Sequence, residues 1–176
     1  MCCDARRMSV LAFAVSVLAT VLAIRAELAR AEELPIKIQA AYLFNFTRFV
    51  EWPADGARLV VCVVGAELLG ELLDDLARRP NAGPALQVKL GWPDNPAACQ
   101  LLYLSRREPR RAELLRQSRG QPVLTVSDAP DFIAEGGLIG FYLDDGRLKV
   151  AVNAAAARAA GLKLSGKLLE VARVVE

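Results

Sequence analysis

The chain has 176 residues, 54% of them hydrophobic, with 22 Lys and Arg residues against 20 Asp and Glu residues. This length and composition predict one domain with its own hydrophobic core and exclude an intrinsically disordered chain. The sequence contains no histidine. Most hydrolase and metal-site mechanisms therefore lose the residue that usually serves as general base or metal ligand.

The amino terminus has the layout of a secretory signal peptide. Two arginines precede an uncharged apolar run at residues 8–24, and an Ala-Arg-Ala sequence ends at Ala31. We expect cleavage after Ala31. Retention of the apolar run as a membrane anchor is the alternative, because the run is at the short limit for a spanning helix. The sequence thus predicts a signal peptide at residues 1–31 and a single domain at residues 32–176, with no membrane insertion after cleavage.

Glu32 is the expected first residue of the mature protein. Small residues follow the short apolar run at the point where signal peptidases cut, so N-terminal sequencing of the protein from the cell envelope should begin at this residue. A mature protein that still contains residues 10–24 would contradict cleavage.

Removal of residues 1–31 changes the charge and the cysteine content of the chain. Four arginines and two acidic residues leave with this segment, so the formal charge falls from +2 to 0. A neutral chain lacks the positive surface that holds a phosphate backbone, and nucleic acid is not expected as a partner. Cys62 and Cys99 remain as an even pair in a chain sent to an oxidising compartment, which predicts one disulfide; two buried free thiols are the alternative.

Residues 34–51 have the pattern of an amphipathic helix that ends at Trp52-Pro53. The apolar arc of this helix predicts a core face that contains Ile36, Ile38, Tyr42, Leu43, Phe46, Phe49 and Val50. Phe44 lies on the polar arc instead, one turn before Arg48. Because apolar side chains among polar ones mark interaction surfaces, Phe44 and Arg48 form a candidate partner-binding site; coverage of Phe44 by another element is the alternative.

Strands and helices alternate along the following residues. The run at 58–64 is continuously apolar, which predicts a central strand covered on both faces. Further strands are predicted at 86–90, 99–104 and 123–126, and helices at 67–78, 106–119 and 130–135. This alternation predicts a single three-layer α/β domain with a mixed, mostly parallel sheet and helices on both faces.

The last forty residues predict a β-hairpin followed by two short helices. Alternating apolar residues flank a turn that contains Asp145 and Gly146, a common hairpin signal. Asn153 and Ser165 are each placed to cap the start of a helix, and Gly161 is placed to end the first of the two.

Motifs for catalysis or phosphate binding are absent from the sequence. Gly65 and Gly70 follow a strand, but neither G-x-G-x-x-G nor Gly-Lys-Ser/Thr occurs. The paired aspartates at 74–75 and 144–145 are sequence neighbours, so they point apart on a helix or lie in a turn and do not form an acid/base pair. The sequence predicts a non-catalytic binding module without a cofactor or a metal ion.

The chain resembles the YfiR-like proteins, most clearly at its carboxyl end. The matching stretches there are GGLIGF from Gly136, VNAAAARAAGLKLS from Val152 and KLLEVA from Lys167. Earlier matches are Ala41, Tyr42, Leu43, Phe46, Phe49, Trp52, Pro53, Val63, Gly65, Cys99, Leu124 and Thr125. The resemblance covers residues 36–174, and the chain lacks the second cysteine pair of some members.

This resemblance implies a periplasmic repressor without enzymatic activity. Its expected partner is the periplasmic part of an inner-membrane diguanylate cyclase, whose inhibition lowers cyclic di-GMP; a sensor kinase is an alternative partner, and a homodimer is left open. The alternative function is a periplasmic small-molecule sensor or carrier. Its pocket would be lined by Tyr42, Phe46 and Trp52.

Overall fold

The structure is a computed structural model and describes residues 36–53, 58–79 and 83–175. The predicted signal peptide at residues 1–31 and its cleavage site lie outside these residues. The described helices are α1 (36–49), α2 (Glu67–Ala77), α3 (Arg111–Ser118), α4 (Ala154–Ala159) and α5 (Gly166–Val171), with a short 3-10 helix at Pro96–Ala98. The strands are β1 (Val50–Glu51), β2 (Leu59–Val64), β3 (Leu86–Leu90), β4 (Leu101–Leu104), β5 (Leu124–Ser127), β6 (Ile139–Asp144), β7 (Arg147–Asn153), β8 (Lys163–Leu164) and β9 (Arg173–Val175).

Seven strands form the main sheet in the order β3-β2-β4-β5-β6-β7-β9. The strands from β3 to β6 are parallel, β7 is antiparallel to β6, and β9 is parallel to β7. The apolar strand β2 has a neighbour on each side, as its continuous hydrophobic run predicts. If the strands of this sheet alone are numbered in chain order from β2, the first five have the 2-1-3-4-5 arrangement of flavodoxin-like sheets.

Helices cover both faces of this sheet, which confirms the predicted three-layer fold. On one face, Gln39 of α1 accepts a hydrogen bond from the Tyr103 hydroxyl of β4 (3.2 Å). On the opposite face, Leu114 and Leu115 of α3 pack in one buried cluster with Cys62 of β2. The core therefore lies in two apolar layers, one on each side of the sheet.

The carboxyl-terminal hairpin and the helix caps are also confirmed. Asp145 and Gly146 both have positive φ angles, 49° and 71°, as a two-residue type I′ turn requires. The Asn153 side chain accepts a hydrogen bond from the Ala156 N–H (2.8 Å) at the start of α4. Ser165 caps α5 in the same way.

Two predicted helices differ from the structure. The helix predicted at 106–119 begins only at Arg111, because Pro109 interrupts the segment before it. Residues 106–110 form turns, in which the N–H of Arg106 donates to Asp128 (2.7 Å). The helix predicted at 130–135 is replaced by consecutive turns at 130–136. In these turns the Gly137 N–H donates to the Phe132 carbonyl (2.8 Å), which turns the chain into β6.

The end of α1 also differs from the sequence prediction. Val50 and Glu51, predicted as helical, form the two-residue strand β1, which pairs antiparallel with β8. The N–H of Ser165 extends this pairing by donating to the Phe49 carbonyl (2.9 Å). The first described helix is therefore fastened to the segment between α4 and α5.

Candidate functional site

The outer face of α1 carries the two residues predicted to contact a partner. Phe44 is half-buried rather than fully exposed, and its carbonyl accepts a hydrogen bond from the Thr47 hydroxyl (2.6 Å). Arg48 is exposed, and its side chain passes Gly83, where an added Cβ would lie 3.6 Å from the arginine Cδ. Within the described ranges, the Arg48 guanidinium has no ion-pair or hydrogen-bond partner. Phe44 and Arg48 thus occupy neighbouring turns of one accessible face.

The inner face of α1 contains an aromatic cluster. The rings of Tyr42 and Phe46 lie 6.0 Å apart, and those of Phe46 and Phe141 lie 6.2 Å apart. Phe46 is 1% exposed, so this ring belongs to the hydrophobic core. Among the described residues, Tyr42 and Phe46 make their ring contacts with each other and with Phe141 of β6.

Trp52 lies at a different place from Tyr42 and Phe46. Its indole N–H donates to the backbone carbonyl of Gln100 (2.9 Å), and the Gln100 side chain accepts from the N–H of Val60 (2.8 Å). These bonds join the end of β1 to the amino ends of β2 and β4. The three residues predicted to line a ligand pocket are therefore divided between the core and this connection.

Cys62 and Cys99 form a disulfide with a Cα–Cα distance of 5.9 Å. Cys62 lies in the middle of β2, and Cys99 directly follows the 3-10 helix that leads into β4. Both residues are 1% exposed and belong to the core cluster under α3. The bond ties β2 to the start of its neighbour β4 on the face opposite α1.

In many flavodoxin-like folds the ligand binds at the carboxyl edge of the sheet, between the strands numbered 1 and 3. In this protein those strands are β2 and β4. In this protein the loops after β2 and β4 pack directly against each other at this point. A Cβ added to Gly65 would lie 3.2 Å from the Cβ of Ser105 and 3.3 Å from that of Glu108. The space beside Gly65 is thus occupied by the side chains of Ser105 and Glu108.

Tyr103 is the most perturbed titratable group among the described residues. Burial is the main cause, and the nearby Asp128 carboxylate adds to it; together they raise the pKa of the Tyr103 phenol above its ordinary value. The hydroxyl therefore stays protonated and donates to Gln39. This bond fixes α1 against the sheet rather than supplying a reactive group.

A groove of about 340 Å³ lies on the sheet face opposite α1. We call it the β6–β7 groove. Its floor includes Gly140 and Ala151, which pair with each other in adjacent strands. The guanidinium of Arg173 lies 4.4 Å from the centre of the Tyr142 ring at one side, and Asp131 lies on the opposite wall, which the turns after β5 supply.

This groove was not predicted from the sequence. Its small residues give no chemical signal, and Arg173 follows a short helix with no motif around it. The one available signal is Tyr142, a large aromatic residue on the polar-facing side of the hairpin. Tyr42, Phe46 and Trp52 are not among the residues that line the groove.

The fold defines a doubly wound α/β domain with an accessible face on α1 and a groove beside the hairpin. Within the described residues, none of the helices combines the length and apolar composition that a membrane span requires. A model of the YfiR/HmsC-like family matches residues 36–173, and the chain belongs to this family. Members of this family are periplasmic regulatory proteins.

A solved structure with a similar fold supports the architecture. It is a conserved domain protein from Vibrio cholerae O1 biovar El Tor strain N16961, with a TM-score of 0.57 and 12% sequence identity. The match covers 81% of this chain but only 60% of the length of that structure. At this identity the similarity shows the fold alone.

Proposed function

We propose that this protein is a periplasmic repressor that binds the periplasmic part of an inner-membrane diguanylate cyclase and lowers cyclic di-GMP. The observation that carries this proposal is the match of the regulatory YfiR/HmsC-like family to residues 36–173. A sensor kinase of the inner membrane is the second partner class that this family membership supports.

Repression requires that the protein prefer one state of its partner. A regulator that binds the active and the inactive cyclase equally well shifts no population, however tightly it binds. The repressor must therefore make contacts that only the inactive cyclase offers.

The accessible face of α1 supplies residues suited to such contacts. Phe44 offers a half-buried aromatic ring, and Arg48 offers a guanidinium that has no partner within the described residues. Aromatic residues and arginines are the side chains that most often dominate binding energy at protein interfaces. We place the partner contact on this face.

The test of the function is a deletion of the gene in its native host. Loss of the repressor should raise cellular cyclic di-GMP, and a plasmid copy of the gene should restore the lower level. Cyclic di-GMP that stays unchanged after deletion, in cells grown under several conditions, would contradict repression of a diguanylate cyclase.

Phe44→Ala should lose most of this complementation while the domain stays folded. Truncation of a residue at the centre of an interface typically costs about 2 kcal/mol or more in binding, whereas a half-buried residue adds less to folding than a core residue does. The measurements are cyclic di-GMP in the complemented deletion strain and thermal unfolding of the purified variant.

Two further variants serve as controls. Gln117→Ala changes an exposed residue of α3, on the face opposite α1, and should complement fully. Phe46→Ala removes a core ring and should cost about 3–5 kcal/mol of stability. A Phe44→Ala variant that loses as much stability as Phe46→Ala would show that Phe44 is a packing residue and not a partner contact.

A further inference from the structure

We propose that the β6–β7 groove binds a small organic monocarboxylate that carries a compact apolar group. This site is separate from the α1 face, and its existence does not depend on the regulatory function proposed above. It would allow a periplasmic metabolite to stabilise the domain from the face opposite its partner contact.

Arg173 supplies the group that recognises the carboxylate. Its guanidinium is held over the Tyr142 ring at 4.4 Å, an arrangement that favours the cation electrostatically and restricts its orientation. Within the part of the chain that the structure describes, this guanidinium has no carboxylate partner. A stacked guanidinium keeps its N–H groups in one plane, where they pair bidentately with a carboxylate.

The floor of the groove leaves room for an apolar group. Gly140, Ala151 and Arg173 lie in register across β6, β7 and β9, so two of the three positions project no more than a methyl group. The volume of about 340 Å³ is within the range of small-ligand sites. Ile133 packs over Gly140 as an apolar wall, since a Cβ at Gly140 would lie 3.2 Å from its Cγ1. The open part of the floor is therefore at Ala151.

The groove exists because the chain after β5 forms turns instead of a helix. The α3 helix covers this face of the sheet near β2 and β4, and the segment at 130–136 covers β6 where Ile133 packs over Gly140. The remaining sheet surface beside Arg173 is left open. A ligand that fills it would bury apolar surface that no residue of the described chain covers.

The remaining polar groups define the charge of the ligand. Asn153 uses its side-chain oxygen to cap α4 (2.8 Å to the Ala156 N–H), so its amide N–H₂ is the group left to donate to a ligand. The Asp131 carboxylate has no partner among the described residues and would repel a second negative charge. These groups favour one carboxylate and disfavour a dianion.

The experiment uses three probes that share a benzyl group: phenylacetate, its neutral amide phenylacetamide, and the cation phenethylamine. Titration calorimetry and thermal shift of the purified protein should show phenylacetate binding at least about tenfold more tightly than the amide, because only the anion forms the charge-assisted pair. Phenethylamine should bind more weakly than the amide.

Two substitutions in the groove have opposite expected signs. Arg173→Met should weaken phenylacetate binding at least about tenfold and leave amide binding unchanged. Asp131→Asn should tighten phenylacetate binding a few-fold, because it removes a repelling charge. The matched control is Arg79→Met, which changes an exposed arginine that follows α2 and should leave the affinity unchanged.

Several results would overturn the proposal. One is that phenylacetate does not bind at about 10 mM, which is far above a useful dissociation constant. Another is that the three probes bind equally well. A third is that Arg173→Met leaves the affinity for phenylacetate unchanged. If Arg173→Met does not fold, Asp131→Asn decides the proposal. It tests the same charge preference, and misfolding of that variant could not tighten phenylacetate binding. Weaker phenylacetate binding by Asp131→Asn would contradict the proposed charge preference.

Discussion

Loss of the Cys62–Cys99 disulfide should lower the free energy of unfolding by about 4 kcal/mol. The bond joins residues 37 positions apart. Closing this loop lowers the conformational entropy of the unfolded chain, and breaking the bond restores that entropy. A typical domain has a total stability of about 5–15 kcal/mol, so the loss is a large fraction of the whole. Urea unfolding of the Cys62→Ala/Cys99→Ala variant beside the native protein measures the difference.

A reducing agent provides the matched control for this pair. Dithiothreitol should destabilise the native protein toward the level of the double variant and should leave the double variant unchanged. Thiol titration of the denatured chain from Glu32 should find no free thiols before reduction and two afterwards. A double variant with an unchanged melting temperature would contradict the stabilising role of the bond.

Gly137→Ala should destabilise the domain by about 2–3 kcal/mol, the upper part of the usual range for overpacking. The added Cβ would lie 2.2 Å from Cε1 and 2.3 Å from Cδ1 of the Phe132 ring. Phe132 is fully buried in the core cluster with the disulfide, so the ring has no open space to move into. Chemical denaturation measures the loss directly.

Gly166→Ala is the control for this substitution. Gly166 begins α5, and an added Cβ there would have no atom of the described residues, apart from its chain neighbours, within 4 Å. Alanine here should be neutral or should stabilise the helix by about 0.5 kcal/mol. Combining Gly137→Ala with Phe132→Leu should cost less than the sum of the two single changes, because the smaller side chain relieves the contact. Full additivity would show that the Phe132 contact is not the cause.

The sheet was largely predictable from the sequence because local patterns of apolar and turn residues indicate its strands. The run around Val61 is apolar on both faces, and Asp145-Gly146 has the backbone preference of a tight hairpin turn. Asn153 and Ser165 carry the side-chain acceptors that helix starts require. Each of these signals lies within a few residues of the element it defines.

Other elements depend on contacts between residues far apart in the sequence. The strands β1 and β8 have only two residues each and exist because Val50 pairs with Leu164. The turns at 130–136 replace a predicted helix because packing of Phe132 in the core outweighs a weak local preference. The outward position of Arg48 on α1 followed from helical periodicity alone, whereas the β6–β7 groove required the pairing of three strands.

If the protein is periplasmic, as proposed above, the link between α1 and the segment after α4 determines when the domain can be completed during export. A chain that crosses a membrane emerges from its amino end, so α1 arrives long before the strands that it covers. Its ring contact with Phe141 and the bond from Ser165 to the Phe49 carbonyl both require residues from the last third of the sequence. Long-range pairing of this kind is slow and leaves apolar surface exposed in the meantime. The newly exported chain must therefore remain without its finished core until almost its whole length has reached the far side of the membrane.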